Sequence, residues 1–215
     1  TVFSEQPIDH FDLTNKKTIR IKYYVNDQYL DTNGPLYVAL GCEGPERESS
    51  VTGRLIMSEY AEKTHGLQLA IEHRFYGESV PEDGLTDENL GYLSAAQALE
   101  DYVMITTMVR DQYHITGPVI AFGGSYCGNL AVWIREKYPN LFYASFASSA
   151  PILATANFSS FLDVLVRDMG PSCSAAWGSA VEQIEELYTT EEGKQRIAEL
   201  FHPCDTIASD DDMFI

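Results

Sequence analysis

The 215-residue chain lacks any run of about 18 consecutive apolar residues, so no membrane-spanning helix is expected. It is also poor in bases. Lys and Arg number 14 against 32 Asp and Glu, a formal charge of −18. A surface of that sign repels phosphate backbones and anionic lipid, which makes nucleic acid and membrane surfaces poor candidate partners. It reads as a solubilising surface, and it suits an acidic compartment, where protonation of carboxylates relieves the self-repulsion. Cysteine is sparse: Cys42, Cys127, Cys173 and Cys204 lie far apart and form no C-x-x-C pair. That argues against a zinc site or a thioredoxin-type centre; no metal and no cofactor is expected. Internal repeats and low-complexity segments are absent. The first residue is Thr1, with no basic start running into an apolar stretch. The expectation is a removed signal peptide or a fragment of a longer chain.

What remains is an alternation of short apolar runs with amphipathic segments. In residues 18–25, Ile19, Ile21 and Tyr23 alternate with Arg20, Lys22 and Tyr24, a strand period. Leu36–Leu40 and Leu67–Ile71 read as short buried strands, as do residues 118–122 and 143–147. Helices are expected over 54–64, over 94–112 and over 126–138, the last stopping before Pro139. Ser94 with Gln97 three residues on has the form of a capping box. The alternation predicts an α/β fold, a mostly parallel sheet with helices on both faces. Beyond Pro151 the pattern turns helical and acidic. Trp177, Val181, Ile184 and Leu187 recur at helical spacing, Ile197, Leu200 and Phe201 follow Gly193, and the chain runs out in Asp210-Asp211-Asp212. Two domains follow: an α/β core over 1–152, incomplete in strands, and the start of a helical lid or insertion over 153–215.

The most informative stretch is Val119-Ile-Ala-Phe-Gly-Gly-Ser-Tyr-Cys-Gly128. A buried strand runs through two glycines into a serine and straight into a helix, the context of a nucleophile elbow in an α/β-hydrolase core. The chain must reverse at Ser125 to hold its Oγ above the sheet edge, and small residues must flank it; Gly123, Cys127 and Gly128 meet that demand. Ser125 is therefore the candidate nucleophile. The helix starting at Tyr126 brings that residue's backbone N–H to the reacting carbonyl. A second oxyanion donor is expected from the loop Gly41-Cys42-Glu43-Gly44, at the Cys42 N–H.

Other polar residues have weaker assignments. Glu43, beside that loop, either binds a substrate amine or holds the loop by hydrogen bonds. His73, in the polar run Glu72–Ser79, precedes the serine, whereas hydrolases of this fold place their histidine last; it reads as part of a hydrogen-bonded network. His10, His65 and His114 show no ligand spacing. His202, the one histidine after Ser125, follows a helix rather than a core strand, so the triad Asp and His are expected beyond the end of this chain. Asn157-Phe158-Ser159 is a sequon for N-glycosylation at Asn157.

With these residues laid out, the chain resembles the family of serine peptidases that includes prolyl carboxypeptidase, dipeptidyl peptidase II and the thymus-specific serine protease. The resemblance rests on Gln6-Pro-Ile-Asp-His-Phe11, Tyr23-Tyr-Val-Asn-Asp-Gln28, Gly41–Gly44, Glu72–Ser79, Tyr92 to Asp101, Gly123–Gly128 and Ala147-Ser-Ser-Ala-Pro-Ile152. Two segments, Tyr23–Gln28 and Glu72–Gly77, look closest to the thymus-specific branch. The resemblance implies an α/β-hydrolase core interrupted by a helical domain, Ser125 as nucleophile, and exopeptidase action on peptides near proline. It implies a glycoprotein that is secreted or held in lysosomes or vesicles, with a homodimer left open. It places Cys173 and Cys204 at disulfide-forming positions of the helical domain. Cys127 and Cys42 depart from the family's small residues. A free Cys127 thiol would make the site sensitive to thiol reagents. Two other readings stand beside this one: an esterase or lipase of the same fold, and an inactive truncated homologue.

Overall fold

The computed structural model describes residues 2–204. Its sheet is built on two strands whose every residue is buried, β3 (Leu36–Leu40) and β4 (Leu67–Ile71). A run such as Leu-Tyr-Val-Ala-Leu is apolar on both sides because both faces of a central parallel strand are covered. β3 lies between β4 and β5 (Val119–Gly124), parallel to both, and β5 pairs in parallel with β6 (Phe142–Ser148). On the other side β2 (Thr18–Asn26) runs antiparallel to β4, and β1 (Val2–Pro7) antiparallel to β2. The order is β1-β2-β4-β3-β5-β6.

The period of two along these strands divides the core. On one face Leu36, Val38 and Leu40 of β3 join Leu67, Leu69 and Ile71 of β4 and pack with Tyr102, Ile105 and Val109 of α3 (Ala95–Gln112) and Leu130 and Ile134 of α4 (Ser125–Lys137). The intervening residues Tyr37, Ala39, Ala70 and Phe122 pack on the other face with Met57 and Ala61 of α1 (Met57–Thr64). A four-residue helix, α2 (Asp87–Leu90), precedes α3 and is capped by the Thr86 side chain. Burial of each large aliphatic or aromatic side chain in such a core contributes about 1.5–3 kcal/mol.

β1 was not expected from the sequence. Its inward residues are Ser4 and Gln6, which bond each other at 2.7 Å, so no apolar alternation marks it. The capping box at α3 forms only in half. Ser94 Oγ accepts from the Gln97 N–H at 3.3 Å, but the Gln97 side chain turns to the amino-terminal loop, accepting from His10 N–H (2.8 Å) and donating to Asp9 (2.7 Å). The expected helix over 54–64 starts only at Met57.

The chain divides into two compact units after Ala154. In the second, α5 (Ser159–Tyr188) is broken at Gly170 (φ 75°, ψ 167°), the residue before Pro171, which has no N–H to continue the helix and disfavours helical backbone before it. In α6 (Glu191–Phe201) the Thr190 side chain caps the Gly193 N–H, so the helix begins before Gly193 rather than after it. Asp210, Asp211 and Asp212 lie outside the described residues. Among the described residues no helix is long and apolar enough to cross a membrane.

Candidate active site

Three strand ends position the site. β5 delivers Gly124 in extended backbone, Ser125 turns to φ 55°, and α4 begins there. Positive φ is uncommon for a residue with a side chain, and here the surrounding packing leaves no alternative. A Cβ on Gly123 would lie 1.9 Å from the Cys127 carbonyl oxygen, and one on Gly128 would lie 2.9 Å from the Ala150 Cβ. Strand and helix thus approach closely enough to force the bend. Ser125 is exposed, and its hydroxyl makes no hydrogen bond among the described residues.

The loop after β3 stands beside it. The Gly41 N–H donates to the Ile71 carbonyl at 2.8 Å, and the Gly41 carbonyl accepts from the Tyr102 hydroxyl at 3.0 Å. Burial pushes the Tyr102 phenol well above its usual range, so it stays protonated and able to donate. The next backbone N–H, that of Cys42, has no hydrogen-bond acceptor among the described residues. Tyr126, second residue of α4, sits where helix geometry leaves the N–H without an intrahelical acceptor.

Cys42 and Cys127 form a disulfide, with Cα atoms 5.2 Å apart. This corrects the expectation of a free Cys127 thiol. Sequence alone did not bring the two together, because 85 residues separate them. Both sulfurs rest against the Gly124 carbonyl oxygen, at 3.4 and 2.9 Å; joined to each other they carry no proton, so these are contacts and not hydrogen bonds. Cys173 and Cys204 are free and exposed among the described residues.

The run Glu72–Ser79 is a network that fixes these loops. The buried Glu72 carboxylate accepts from the N–H groups of Glu46 and Glu78 and from the Ser79 hydroxyl, each at 2.8 Å, and pairs with Lys22 at 3.0 Å. It therefore ties the loop after β3 to the loop after β4. Gly77, at φ 57°, has its Cβ position 2.2 Å from Glu72 Oε2, leaving no room for a side chain.

His73 is fully buried. Its Nδ1 lies 2.7 Å from the Arg74 carbonyl, which can only accept, so Nδ1 carries the proton and Nε2 accepts from the Tyr126 hydroxyl at 3.0 Å. Burial lowers its pKa from the ordinary 6.5, overriding the nearby acids Asp101 and Glu43. Burial likewise pushes the Tyr126 phenol up to about 12, with Tyr76 and Glu43 adding to it. Neither group is a base for Ser125. Because the unfolded chain protonates this histidine below about 6.5 while the folded chain resists, its contribution to stability falls as pH drops through that value. His73→Gln is expected to flatten the pH dependence of the urea midpoint below pH 6.5, compared with the wild-type curve.

Behind this network, Arg74 is buried and makes five hydrogen bonds. Two go to Asp101 (2.7 and 2.9 Å), and the others reach the carbonyls of Ile8 (2.7 Å), Tyr92 (3.2 Å) and Pro7 (3.2 Å). His10 Nε2 completes the cluster at 2.7 Å from Asp101. No ligand spacing marks His10 in the sequence, because its partner lies 91 residues away.

Glu43 is exposed and forms no hydrogen bond among the described residues, so it does not hold its loop that way. A cavity of about 320 Å³ opens next to the bend. Gly123, Gly124 and the disulfide form one wall, Leu55, Ile56, Phe122 and Phe146 the apolar lining, and Glu46 and Arg54 are polar groups in it.

A mostly parallel sheet, a strand-turn-helix that lifts an exposed serine on a positive-φ bend, and a glycine loop beside it together define an α/β-hydrolase core. Within that class, the chain belongs to the serine carboxypeptidase S28 family, whose model matches residues 6–214. A Caenorhabditis elegans protein described as a serine protease is 35% identical over 212 residues, covering 96% of this chain and 42% of its own. The human thymus-specific serine protease is 39% identical over 181 residues, 83% of this chain and 34% of its own length. Mouse lysosomal Pro-X carboxypeptidase is 32% identical over 222 residues, 97% and 45% respectively. The chain thus spans less than half the length of these relatives.

Proposed function

We propose that this chain carries the nucleophile of a serine exopeptidase that cleaves peptides next to proline, with Ser125 attacking the scissile carbonyl. The observation that supports it is the exposed Ser125 at φ 55° on the bend between β5 and α4. In this reading the Tyr126 and Cys42 N–H groups receive the oxyanion, a role in which one donor is worth about 10²–10³ in rate. The exposed carboxylate of Glu43 anchors a substrate amine. The general-base histidine and its orienting aspartate come from outside the described residues, since no histidine here bonds Ser125. Action near proline follows the similarity to lysosomal Pro-X carboxypeptidase.

A secretory route to the outside of the cell or to a lysosome belongs to the same reading. Disulfides form and persist mainly in oxidising compartments, and the sequon residue Asn157 is exposed.

The test is covalent. Protein expressed from the whole gene is treated with a fluorophosphonate, digested and mapped by mass spectrometry. The adduct is expected on Ser125. The 215 residues alone are expected to label weakly or not at all, for want of the base that activates a serine hydroxyl. An adduct on another residue, or full labelling of the isolated 215 residues, contradicts the reading. Turnover of peptides ending in Pro-Xaa or beginning with Xaa-Pro, against short acyl esters, separates the exopeptidase from an esterase.

A further inference from the structure

We infer that the Cys42–Cys127 disulfide is a positioning element of the oxyanion hole, locking the Gly41–Cys42 peptide against the amino end of α4. The inference rests on Ser125 as nucleophile and deepens that reading.

Placement is the first argument. Cys42 itself carries one proposed donor N–H, and Cys127 follows Tyr126, which carries the other. A covalent bond between their side chains therefore joins one donor residue directly to the neighbour of the other. The bridge also lies against the Gly124 carbonyl, the peptide that leads into Ser125.

The second argument is what else holds the loop. β3 and β5 are already hydrogen-bonded neighbours up to the pair Ala39 and Phe122. A cross-link between them adds little inside that ladder. Beyond Leu40 and Gly124 the ladder ends, and there the bridge is needed. The Gly41–Cys42 peptide is further restrained by the Gly41 N–H, which donates to the Ile71 carbonyl at 2.8 Å, and by the Tyr102 hydroxyl, which donates to the Gly41 carbonyl at 3.0 Å. In a planar trans peptide, N–H and C=O point in opposite directions. Tyr102 therefore draws the carbonyl inward and turns the Cys42 N–H away from the core. That hydrogen bond sets the direction of the donor; the disulfide sets its distance from α4.

The third argument is access. Both cysteines line the 320 Å³ cavity, and Cys42 is only partly buried. A bond whose sole role was to staple the fold would not need to face the space next to Ser125.

The test reads phosphonylation of Ser125 by a fluorophosphonate in protein expressed from the whole gene, separating the maximal rate from the half-saturating probe concentration. Oxidised protein is compared with protein reduced by tris(2-carboxyethyl)phosphine. The phosphine supplies two electrons, water supplies the oxygen that ends on phosphorus, and the two protons of that water end on the two sulfurs. The maximal rate is expected to fall about 10²-fold, the scale of a misplacement near 1 Å. The half-saturating concentration is expected to stay within about twofold, because the donors act on the developing oxyanion and not on the bound ground state. Reoxidation restores the rate. Cys42→Ala, Cys127→Ala and the double variant are expected to show the same loss, since the bridge acts as one unit. Where a variant melts below the assay temperature, the reduced wild type, held below its own melting point, decides. Equal rates for folded oxidised and folded reduced protein overturn the inference while leaving Ser125 as nucleophile. No adduct on Ser125 even in oxidised protein overturns both.

Discussion

Ser125→Ala is expected to lower kcat/KM of the whole-gene product on a proline-containing peptide by about 10⁴- to 10⁶-fold, with no loss of stability. The physical basis is local. The hydroxyl is exposed and unbonded among the described residues, so its removal strands no partner. Alanine has the same Cβ as serine, so the bend at φ 55° keeps whatever strain it has. Only the attacking oxygen goes. Residual activity would come from the oxyanion donors and binding, a background of about 10³–10⁴ over water. Kinetics and a urea titration on the same preparation provide the check. A variant that keeps more than about one part in a hundred of the activity contradicts the nucleophile assignment.

The second large effect is on folding. Asp101→Ala is expected to destabilise the protein by about 3–5 kcal/mol, read as a fall in the urea midpoint. Asp101 is almost fully buried and takes two of the five hydrogen bonds of the equally buried Arg74, plus His10. Without it, a guanidinium that is always charged stays in the core beside backbone carbonyls alone. A paired apolar replacement, Arg74→Met with Asp101→Leu, is expected to recover a large part of the loss, because it removes the stranded charge as well as the bond. Arg74 follows His73, and the Arg74 carbonyl receives the His73 Nδ1 proton. A small loss of activity is therefore expected even at temperatures where the Asp101 variant remains folded.

Elements with strong local signals were legible in the sequence. β3 and β4 match their apolar runs residue for residue, since both faces of those strands are covered. The strand, glycines, serine and helix around residue 125 also read correctly as a sharp bend, because close backbone approach admits only small residues there. β1 did not read, because its buried side chains are Ser4 and Gln6, polar groups joined by a hydrogen bond from Gln6 Nε2 to Ser4 Oγ. Nor did the Arg74, Asp101 and His10 cluster, whose partners lie 27 and 91 residues apart along the chain. The same holds for the disulfide. Local periodicity reports which face of an element is covered, but it does not report which distant polar group or sulfur arrives to cover it. Glu43 marks a different limit: its type and neighbourhood suggested two roles, and only an exposed side chain without a hydrogen bond separates them.

The linked cysteines also carry a genealogical consequence. A lineage cannot acquire or discard this bridge by one codon change without passing through a form with an orphan sulfur, open to mixed disulfides, at Cys42 or at Cys127, the latter two residues from the exposed Ser125. Positions 42 and 127 are thus expected to be inherited as a pair, each constrained by the other rather than by its own surroundings.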